Sequence, residues 1–225
     1  MQNNEQQPLW IQDWIKKDFS QAIEQAIENA EKKCALDFFP VVVKSSTTLG
    51  HIFPLLTLLL FAVYVSALTL IPLPKLGLWG VGVHGMMVLI MMILAYSLSE
   101  NLWLARWLTA KKDQRYSVEQ AARLAYYEHA IDQHPSVLIF VSLMERQVVV
   151  LCNEKVQAKL KGDIFKDHIN KLLPLLKRKQ LQQALCQCIA GLANSMQQAF
   201  PLQGEKPKNA LSNKVLLKKP DDEQA

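Results

Sequence analysis

The sequence predicts an α/β fold: a small two-layer or three-layer sandwich with a mixed sheet of about three to four strands, interrupted by a transmembrane helical hairpin. Apolar, β-branched runs of strand length occur at 38–43, 137–141 and 148–151. Amphipathic helical periodicity flanks these runs, and two long stretches, 45–74 and 76–99, contain no formally charged residue. Because the uncharged stretches lie between the first and second predicted strands, the hairpin is predicted to split one domain.

The two uncharged stretches are each long enough to cross a membrane. Each contains about 20 consecutive apolar-rich residues, the number that an α-helix needs to span a hydrocarbon core of roughly 30 Å. The predicted spans are 50–71 and 77–99, and the proline-containing link between them has the composition of a turn. With an interfacial extension of the second span, the hairpin segment covers 49–110. His84 has no carboxylate in either span to pair with, so a transport role is disfavoured.

Basic residues around the hairpin predict its orientation. The loop between the spans offers only Lys75, whereas both outer flanks carry several cations, so both termini are predicted to be cytoplasmic. The flanking cations are Lys32, Lys33, Lys44, Arg106, Lys111, Lys112 and Arg115. The start of the chain lacks the pattern of a secretory signal peptide, and we expect the first span to act as an uncleaved signal.

Segment 1–17 is predicted to be an amphipathic element in front of the domain. Trp10 and Trp14 lie four residues apart and would share one helical face. This arrangement suits either a membrane interface or packing on the chain's own domain, and both alternatives stay open.

Segment 18–46 is predicted to form the first part of the domain. It contains a helix over about 19–34, capped by Asp18, and then the first strand. Pro40 lies in this strand and cannot donate a ladder hydrogen bond, so we expect it at the start of the strand or on an edge of the sheet.

Segment 116–201 is predicted to form the second part of the domain, beginning with a helix capped by Ser117. The polar residues 111–116 are expected to separate this helix from the membrane segment. Two strands follow, and Glu145-Arg146 between them is suited to the turn of a tight hairpin.

Two further helices complete the predicted domain. Asp163 is expected to cap the first of them, and Pro174 marks a kink or break. The last helix covers about 181–200, and the lysine-rich tail, 202–225, is predicted to be disordered.

The charge and the cysteine content argue against nucleic-acid binding and against disulfide bonds. The formal net charge is +5, with the basic excess near the predicted spans and in the tail, which favours attraction to anionic lipid rather than to nucleic acid. The 4 cysteines are expected to be reduced in the cytoplasm and to act as small buried hydrophobic residues.

Three segments of the chain resemble the TPM domain family. The run from Ile23 to Lys33, followed by Asp37–Val43, is similar to the opening helix and strand of that family, and Val137–Arg146 is similar to its central hairpin. The ending resembles its last helix through Leu181, Ala184, Leu185, Ile189, Phe200 and Pro201. The resemblance covers about 18–201 and implies the bacterial branch in which a two-span hairpin interrupts the domain, and hence a multi-pass protein of the bacterial inner membrane.

The resemblance also implies candidate functional residues. Relatives in this family include an acid phosphatase, photosystem-repair factors and auxiliary subunits of membrane receptors, and several are thought to hold a divalent cation through acids near the strand ends. The matching candidates are Asp37, Glu145 and Glu154 for catalysis, and Asp37 with Glu154 for a weakly bound cation such as Ca²⁺. The alternative is that all three are solvated residues at strand ends and in a turn.

Departures from the family pattern favour a role without catalysis. After the third strand, where the family shows Asp-basic-Gly, this chain has Asn153-Glu154-Lys155, and an amide is a poorer ligand for a hard cation than a carboxylate. We therefore expect a membrane-anchored scaffold or auxiliary factor for membrane-associated proteins. The alternative is a metal-dependent, phosphatase-like hydrolase of the TPM type with a degenerate acidic site.

The expected partners follow from the predicted anchor. They are the lipid bilayer and a membrane protein, without nucleic acid. The glycines of the second span favour close helix packing, either within the hairpin or against another membrane protein, including a second copy of this chain.

Overall fold

The computed structural model describes residues 8–16, 18–46, 52–70, 77–99, 110–129, 131, 135–160, 164–202 and 213–218. The chain divides into two compact units. The α/β unit consists of Met1–Ser46 with Gln114–Ala225, and the apolar unit is Thr47–Asp113. The predicted cap Asp163, the link between the spans and the interfacial extension after the second span lie outside the described residues.

Helices and strands are mixed along the chain. In order they are a 3-10 helix (Leu9–Trp14), α1 (Phe19–Glu31), β1 (Asp37–Val43), α2 (Ile52–Leu70), α3 (Gly77–Ser99), α4 (Lys111–Glu128), β2 (Ser136–Ser142), β3 (Gln147–Cys152), α5 (Glu154–Lys159), α6 (Ile164–Lys177), α7 (Leu181–Met196) and β4 (Leu216–Lys218).

The strands form one mixed sheet of four strands in the order β3-β2-β1-β4. β1 pairs with β2 in parallel over its whole length, from Asp37 opposite Ser136 to Val43 opposite Ser142. β3 is antiparallel to β2, and β4 is parallel to β1. The predicted α/β class is therefore confirmed. β1, before the insertion, pairs directly with β2 after it, and β3 joins the same sheet through β2.

Helices cover both faces of this sheet. Phe38 and Val42 of β1 belong to a core shared with α1, α6 and α7. Phe39 and Val41 point to the other face, which packs against α4. Because side chains alternate between faces along a strand, helices on both sides require apolar residues at consecutive positions, as in the run Val137–Val141. The fold thus has three layers.

Several predicted boundaries are wrong. α4 begins at Lys111 rather than at Ser117, since the polar residues before Ser117 are mostly straight-chain helix formers. Asp18 precedes α1 but makes no side-chain capping hydrogen bond. Pro174 lies inside α6 and does not end it, because buried residues on either side hold the helix against the core. The chain turns instead at Lys179, whose φ is 58°.

The predicted disorder of 202–225 is wrong over its later part, where Leu216–Lys218 forms β4. The pairing of β4 with β1 begins at Val41, directly after Pro40. Pro40 is the fourth residue of β1, so the prediction that it starts the strand is wrong. It lies on an edge only locally, because it pairs with β2 on one side and has no β4 partner on the other.

The N-terminal segment packs on its own domain, which decides between the two alternatives left by the sequence. Ile11 is fully buried in the core, and Trp10 and Trp14 pack partly buried against the same core. The Lys179 ammonium lies 6.0 Å from the centre of the Trp14 ring and 3.6 Å from an Asp13 carboxylate oxygen.

The apolar unit contains α2 and α3 as an antiparallel pair. Phe53 near the start of α2 contacts Tyr96 near the end of α3, with ring centroids 6.3 Å apart. Further along, the Tyr64 hydroxyl is hydrogen-bonded to Nδ1 of His84. The imidazole that has no carboxylate partner in the spans therefore has a hydroxyl partner.

Among the described residues, one helix is long and apolar enough to cross a membrane. The qualifying stretch is Gly82–Ser99 of α3, with a mean hydropathy of 1.7 and 6% of its residues buried. The apolar stretch of α2, Phe53–Leu68, is shorter than this criterion requires.

A close contact between His168 of α6 and Gly191 of α7 leads to a prediction about stability. A Cβ placed there would lie 2.7 Å from Nδ1 and 2.8 Å from Cε1 of His168, whose Nε2 is 2.9 Å from the Ser195 hydroxyl. Replacing a helical glycine by alanine ordinarily stabilises by about 0.5–1 kcal/mol, whereas overpacking costs about 1–3 kcal/mol. We therefore expect Gly191→Ala to lower the free energy of unfolding by about 1 kcal/mol.

The matched control is the same substitution in a His168→Ala background. With the imidazole removed, Gly191→Ala is expected to raise the free energy of unfolding, measured by urea titration of the full chain in detergent micelles. A loss of similar size in both backgrounds would contradict the contact between Gly191 and His168.

Candidate functional site

The three candidate acids lie at two different ends of the sheet. Asp37 starts β1 opposite Ser136, and Glu154 follows the end of β3, so both are at the same end. Glu145 lies in the turn between β2 and β3, at the opposite end. Seven strand residues separate these ends by roughly 20 Å, at about 3.3 Å per residue. A single site containing all three carboxylates is therefore not formed.

Glu145 is buried, although it lies in a turn. Its side chain is only 3% exposed. One carboxylate oxygen accepts hydrogen bonds from the Ser45 hydroxyl at 3.1 Å and from the Ser46 backbone N–H at 3.2 Å, and the other accepts from the Ser142 hydroxyl. The alternative that this acid is solvated is therefore wrong. We call Ser45, Ser46, Ser142 and Glu145 the Glu145 cluster.

Backbone geometry places the Glu145 side chain inside the fold. The turn residues Leu143 and Met144 donate backbone hydrogen bonds to the carbonyls of Val43 and Lys44, at 3.1 and 3.0 Å. The turn then closes through Arg146, whose φ of 51° lies in the left-handed region. The expected hairpin turn is confirmed, and it is also bonded to the end of β1.

The Glu145 cluster has a structural role. Ser45 and Ser46 are the last residues of the α/β unit before the chain enters the apolar unit. Hydrogen-bond donors from the end of β2 and from the residues after β1 converge on one carboxylate. The cluster therefore stabilises the point where the chain leaves the sheet. A carboxylate that already accepts these bonds is a poor ligand or proton-transfer group for a substrate.

The opposite end of the sheet presents fewer acids than the resemblance implies. Asp37 is half-buried, and its N–H donates to the Pro135 carbonyl at 3.2 Å. Asn153 is the N-cap of α5, and its side-chain oxygen accepts from the Val156 N–H at 2.9 Å. Glu154, in the first turn of α5, is exposed. The Asn153 side chain, which follows β3, therefore caps a helix. An Asn directly before helix-forming residues is typical of such a cap.

Metal binding at this end would rest on two carboxylates: Asp37 at the start of β1 and Glu154 at the start of α5, which follows β3. β2 lies between β1 and β3, so their backbones are about 10 Å apart. Ca²⁺ takes 6–8 oxygen ligands, which Asp37 and Glu154 alone do not supply. In the part of the chain that the structure describes, no group of three or more His, Cys, Asp or Glu residues is arranged to hold a metal ion.

A groove of about 560 Å³ lies between α4 and the β3–α5 junction. It is lined by Arg123, Tyr126, Tyr127, Leu151, Cys152, Asn153, Glu154, Lys155 and Gln157. The two tyrosine rings meet edge to face, with centroids 5.3 Å apart. Arg123 and Lys155 give the groove two cations against one carboxylate, so it favours an anionic group over a metal ion. The sequence prediction did not identify this groove.

The cysteines are free thiols without the properties of a nucleophile. Burial raises the pKa of Cys34 and Cys152 to about 11 and that of Cys188 to about 12, and it also raises the pKa of Cys186. The thiols are therefore protonated at neutral pH. Their expected role as small buried hydrophobic residues is confirmed for Cys34 and Cys188, while Cys152 and Cys186 are half-buried.

The fold is similar to that of a known structure. The NMR structure of the BA42 protein from the psychrophilic bacterium Bizionia argentinensis matches with a TM-score of 0.55 and 14% sequence identity, over 92% of this chain and 98% of that one. At this identity the likeness concerns the fold alone. No family model matches the chain, and no curated protein matches it.

The Glu145 cluster makes a stability prediction. Glu145→Ala leaves buried hydroxyl and N–H donors without their acceptor, and we expect the free energy of unfolding to fall by about 1–3 kcal/mol. Glu145→Gln keeps an accepting oxygen and is expected to lose less. Urea unfolding of the full chain in detergent micelles, followed by near-ultraviolet circular dichroism, measures both losses.

The control for this prediction is Glu154→Ala. Glu154 is exposed at the other end of the sheet, so its removal is expected to change the free energy of unfolding by no more than about 0.5 kcal/mol. Equal losses for the two alanine variants would refute the structural role of Glu145.

Proposed function

We propose that this chain is a membrane-anchored, TPM-like α/β protein that acts as a scaffold or auxiliary factor for membrane-associated proteins, without catalysis. The observation that carries the proposal is the position of the candidate acids. Glu145 is buried and hydrogen-bonded within the cluster, while Asp37 on β1 and Glu154 on α5 lie at the far end of the sheet. Of the residues that resemble a metal-dependent site, Glu145 is hydrogen-bonded inside the fold, Asp37 is half-buried, and Glu154 is exposed.

A transmembrane hairpin formed by α2 and α3 is part of this proposal. The 19 residues of α2 and the 23 of α3 extend about 28 and 35 Å, close to the thickness of a hydrocarbon core. Large apolar side chains of these helices are exposed, including Leu58 at 71% and Ile93 at 69%. Soluble proteins rarely expose contiguous apolar surface of this kind, which supports burial in lipid. The distribution of cations favours cytoplasmic termini. The bacterial inner membrane is what the resemblance to the TPM family implies.

Two exposed surfaces support a protein partner. α4 presents Tyr116, Leu124 and Tyr127 to solvent, at 54–68% exposure. On α3, a Cβ added at Gly82 or Gly85 would meet no atom within 4 Å, so these glycines do not serve close packing within the hairpin. Their remaining interpretation from the sequence is contact with another membrane protein, which includes a second copy.

The second candidate function is a phosphatase-like hydrolase, and the groove beside α5 favours it. Arg123 and Lys155 would attract a phosphate ester there, next to Glu154 and at the same end of the sheet as Asp37. We give this function second place because the groove contains one carboxylate, and a general acid and a general base both have to be supplied.

An activity assay separates the two functions. The full chain in detergent is expected to show no turnover of a phosphate ester, with or without Ca²⁺, Mg²⁺ or Mn²⁺, above that of its Asp37→Ala variant. Cross-linking in native membranes is expected to recover a protein partner. Turnover that Asp37→Ala abolishes would establish the enzyme, and cross-linking without a partner would count against the scaffold.

Reporter fusions test the membrane topology. A reporter active only in the periplasm is expected to be inactive when fused after Ala225 and active when inserted in the loop that contains Lys75. Activity after Ala225 would overturn the cytoplasmic assignment. Activity at neither position, with both fusions expressed, would contradict the hairpin.

A further inference from the structure

β4 is an edge strand supplied by the C-terminal part of the chain, and its side chains match the site that it occupies. Leu216 packs on the α4 face of the sheet and Leu217 on the opposite face. Lys218, opposite Val43, reaches the last residue of α4, where its ammonium lies 2.5 Å from a Glu128 carboxylate oxygen. Two apolar residues and a cation thus specify the register.

β4 is a short strand that is only partly buried. It pairs over three residues, and all three side chains are only partly buried, whereas all seven residues of β2 are buried. Beyond the ladder, the Lys44 N–H donates to the Lys218 carbonyl at 3.3 Å. The Lys218 ammonium also contacts Glu128, whose pKa is lowered by the hydrogen bond from Lys218, so that this carboxylate is charged at neutral pH.

The chain between the core and β4 is long relative to the α/β unit. Thirteen residues, 203–215, connect Leu202 to Leu216. Fully extended they reach at most about 45 Å, at 3.3–3.6 Å per residue. A domain of this size has a radius of gyration of about 15 Å, so the segment is long enough to reach the same edge of a neighbouring copy.

We propose that the β1 edge and the segment Leu216–Lys218 form an exchangeable contact, and that in paired copies of this protein each tail occupies the β1 edge of the other copy. The exchange uses the contacts already described and requires no new surface. It rests in part on the proposed function, because an anchor in one membrane would raise the effective concentration of neighbouring tails. The pairing deepens the scaffold role by naming the partner as a second copy.

Cysteine cross-linking across the β1–β4 register tests the exchange. Val42 and Leu217 are directly opposed, so Val42→Cys and Leu217→Cys are placed in two differently tagged full chains that are produced together. Mild oxidation of membranes is expected to give a disulfide-linked dimer that carries both tags. An Asp37→Cys chain with the same Leu217→Cys partner is the control, because Asp37 is a half-buried residue of β1 with no β4 partner, and we expect no dimer from it.

A charge swap between copies gives the second arm. Adding Lys218→Glu to the Leu217→Cys chain is expected to lower the dimer yield about fivefold, by replacing an attraction to Glu128 with a repulsion. Adding Glu128→Lys to the Val42→Cys chain should restore the yield. Because the two substitutions are on different copies, restoration reports a contact between copies.

Two results would overturn the proposal. One is a cross-link that forms within a single chain carrying both cysteines but never between copies, which would confine the tail to its own edge. The other is the absence of a cross-link in both formats, which would contradict the β1–β4 contact itself. The reporter fusions test the anchor independently, and a charge-dependent dimer in concentrated detergent solution would support the exchange even if the anchor fails.

Discussion

The parallel pairing of β1 with β2 is the contact on which the rest of this structure depends. Residues 44–135, including the whole apolar unit, lie between the two strands. The entropic cost of closing such a loop grows only with the logarithm of its length, so a large insertion is tolerated. In return, six of the seven residues of β1 and all seven of β2 become buried. Parallel strands also require a long crossover connection, and α4 ends that connection while covering one face of the sheet.

Polar side chains at the two ends of the sheet serve different needs. At the end where β1 leaves the sheet, the donors of Ser45, Ser46 and Ser142 surround the buried Glu145 carboxylate, which offsets the cost of removing that charge from water. At the other end, Asn153 starts α5, and Glu154 stays in solvent. Chemistry on a substrate needs accessible groups, so the groove beside α5 is the better place for a ligand than the Glu145 cluster.

One edge of the sheet is covered only in part. β4 pairs only with the last three residues of β1. Pro40, which directly precedes these residues, has no N–H to donate to a neighbouring strand. A short, partly buried edge strand limits uncontrolled pairing with other chains, which an open edge would invite. The same brevity makes β4 a weakly held element, and its ion pair with Glu128 supplies the specificity that three residues of ladder lack.

The sequence by itself determined the class of the fold, three of the four strands, the hairpin turn and the two apolar helices, because period and apolar runs are local properties that one segment carries alone. It also predicted that the insertion splits one domain, which agrees with the pairing of β1 and β2 across it. Only the tertiary structure decided that Glu145 is buried, since its donors at Ser45 and Ser46 are about 100 residues away in the chain. The tertiary structure also decided the conformation of β4. Its three residues form a strand because they pair with the edge of β1 and because Lys218 contacts Glu128. Burial and pairing depend on what lies opposite a residue, and local pattern does not contain that information.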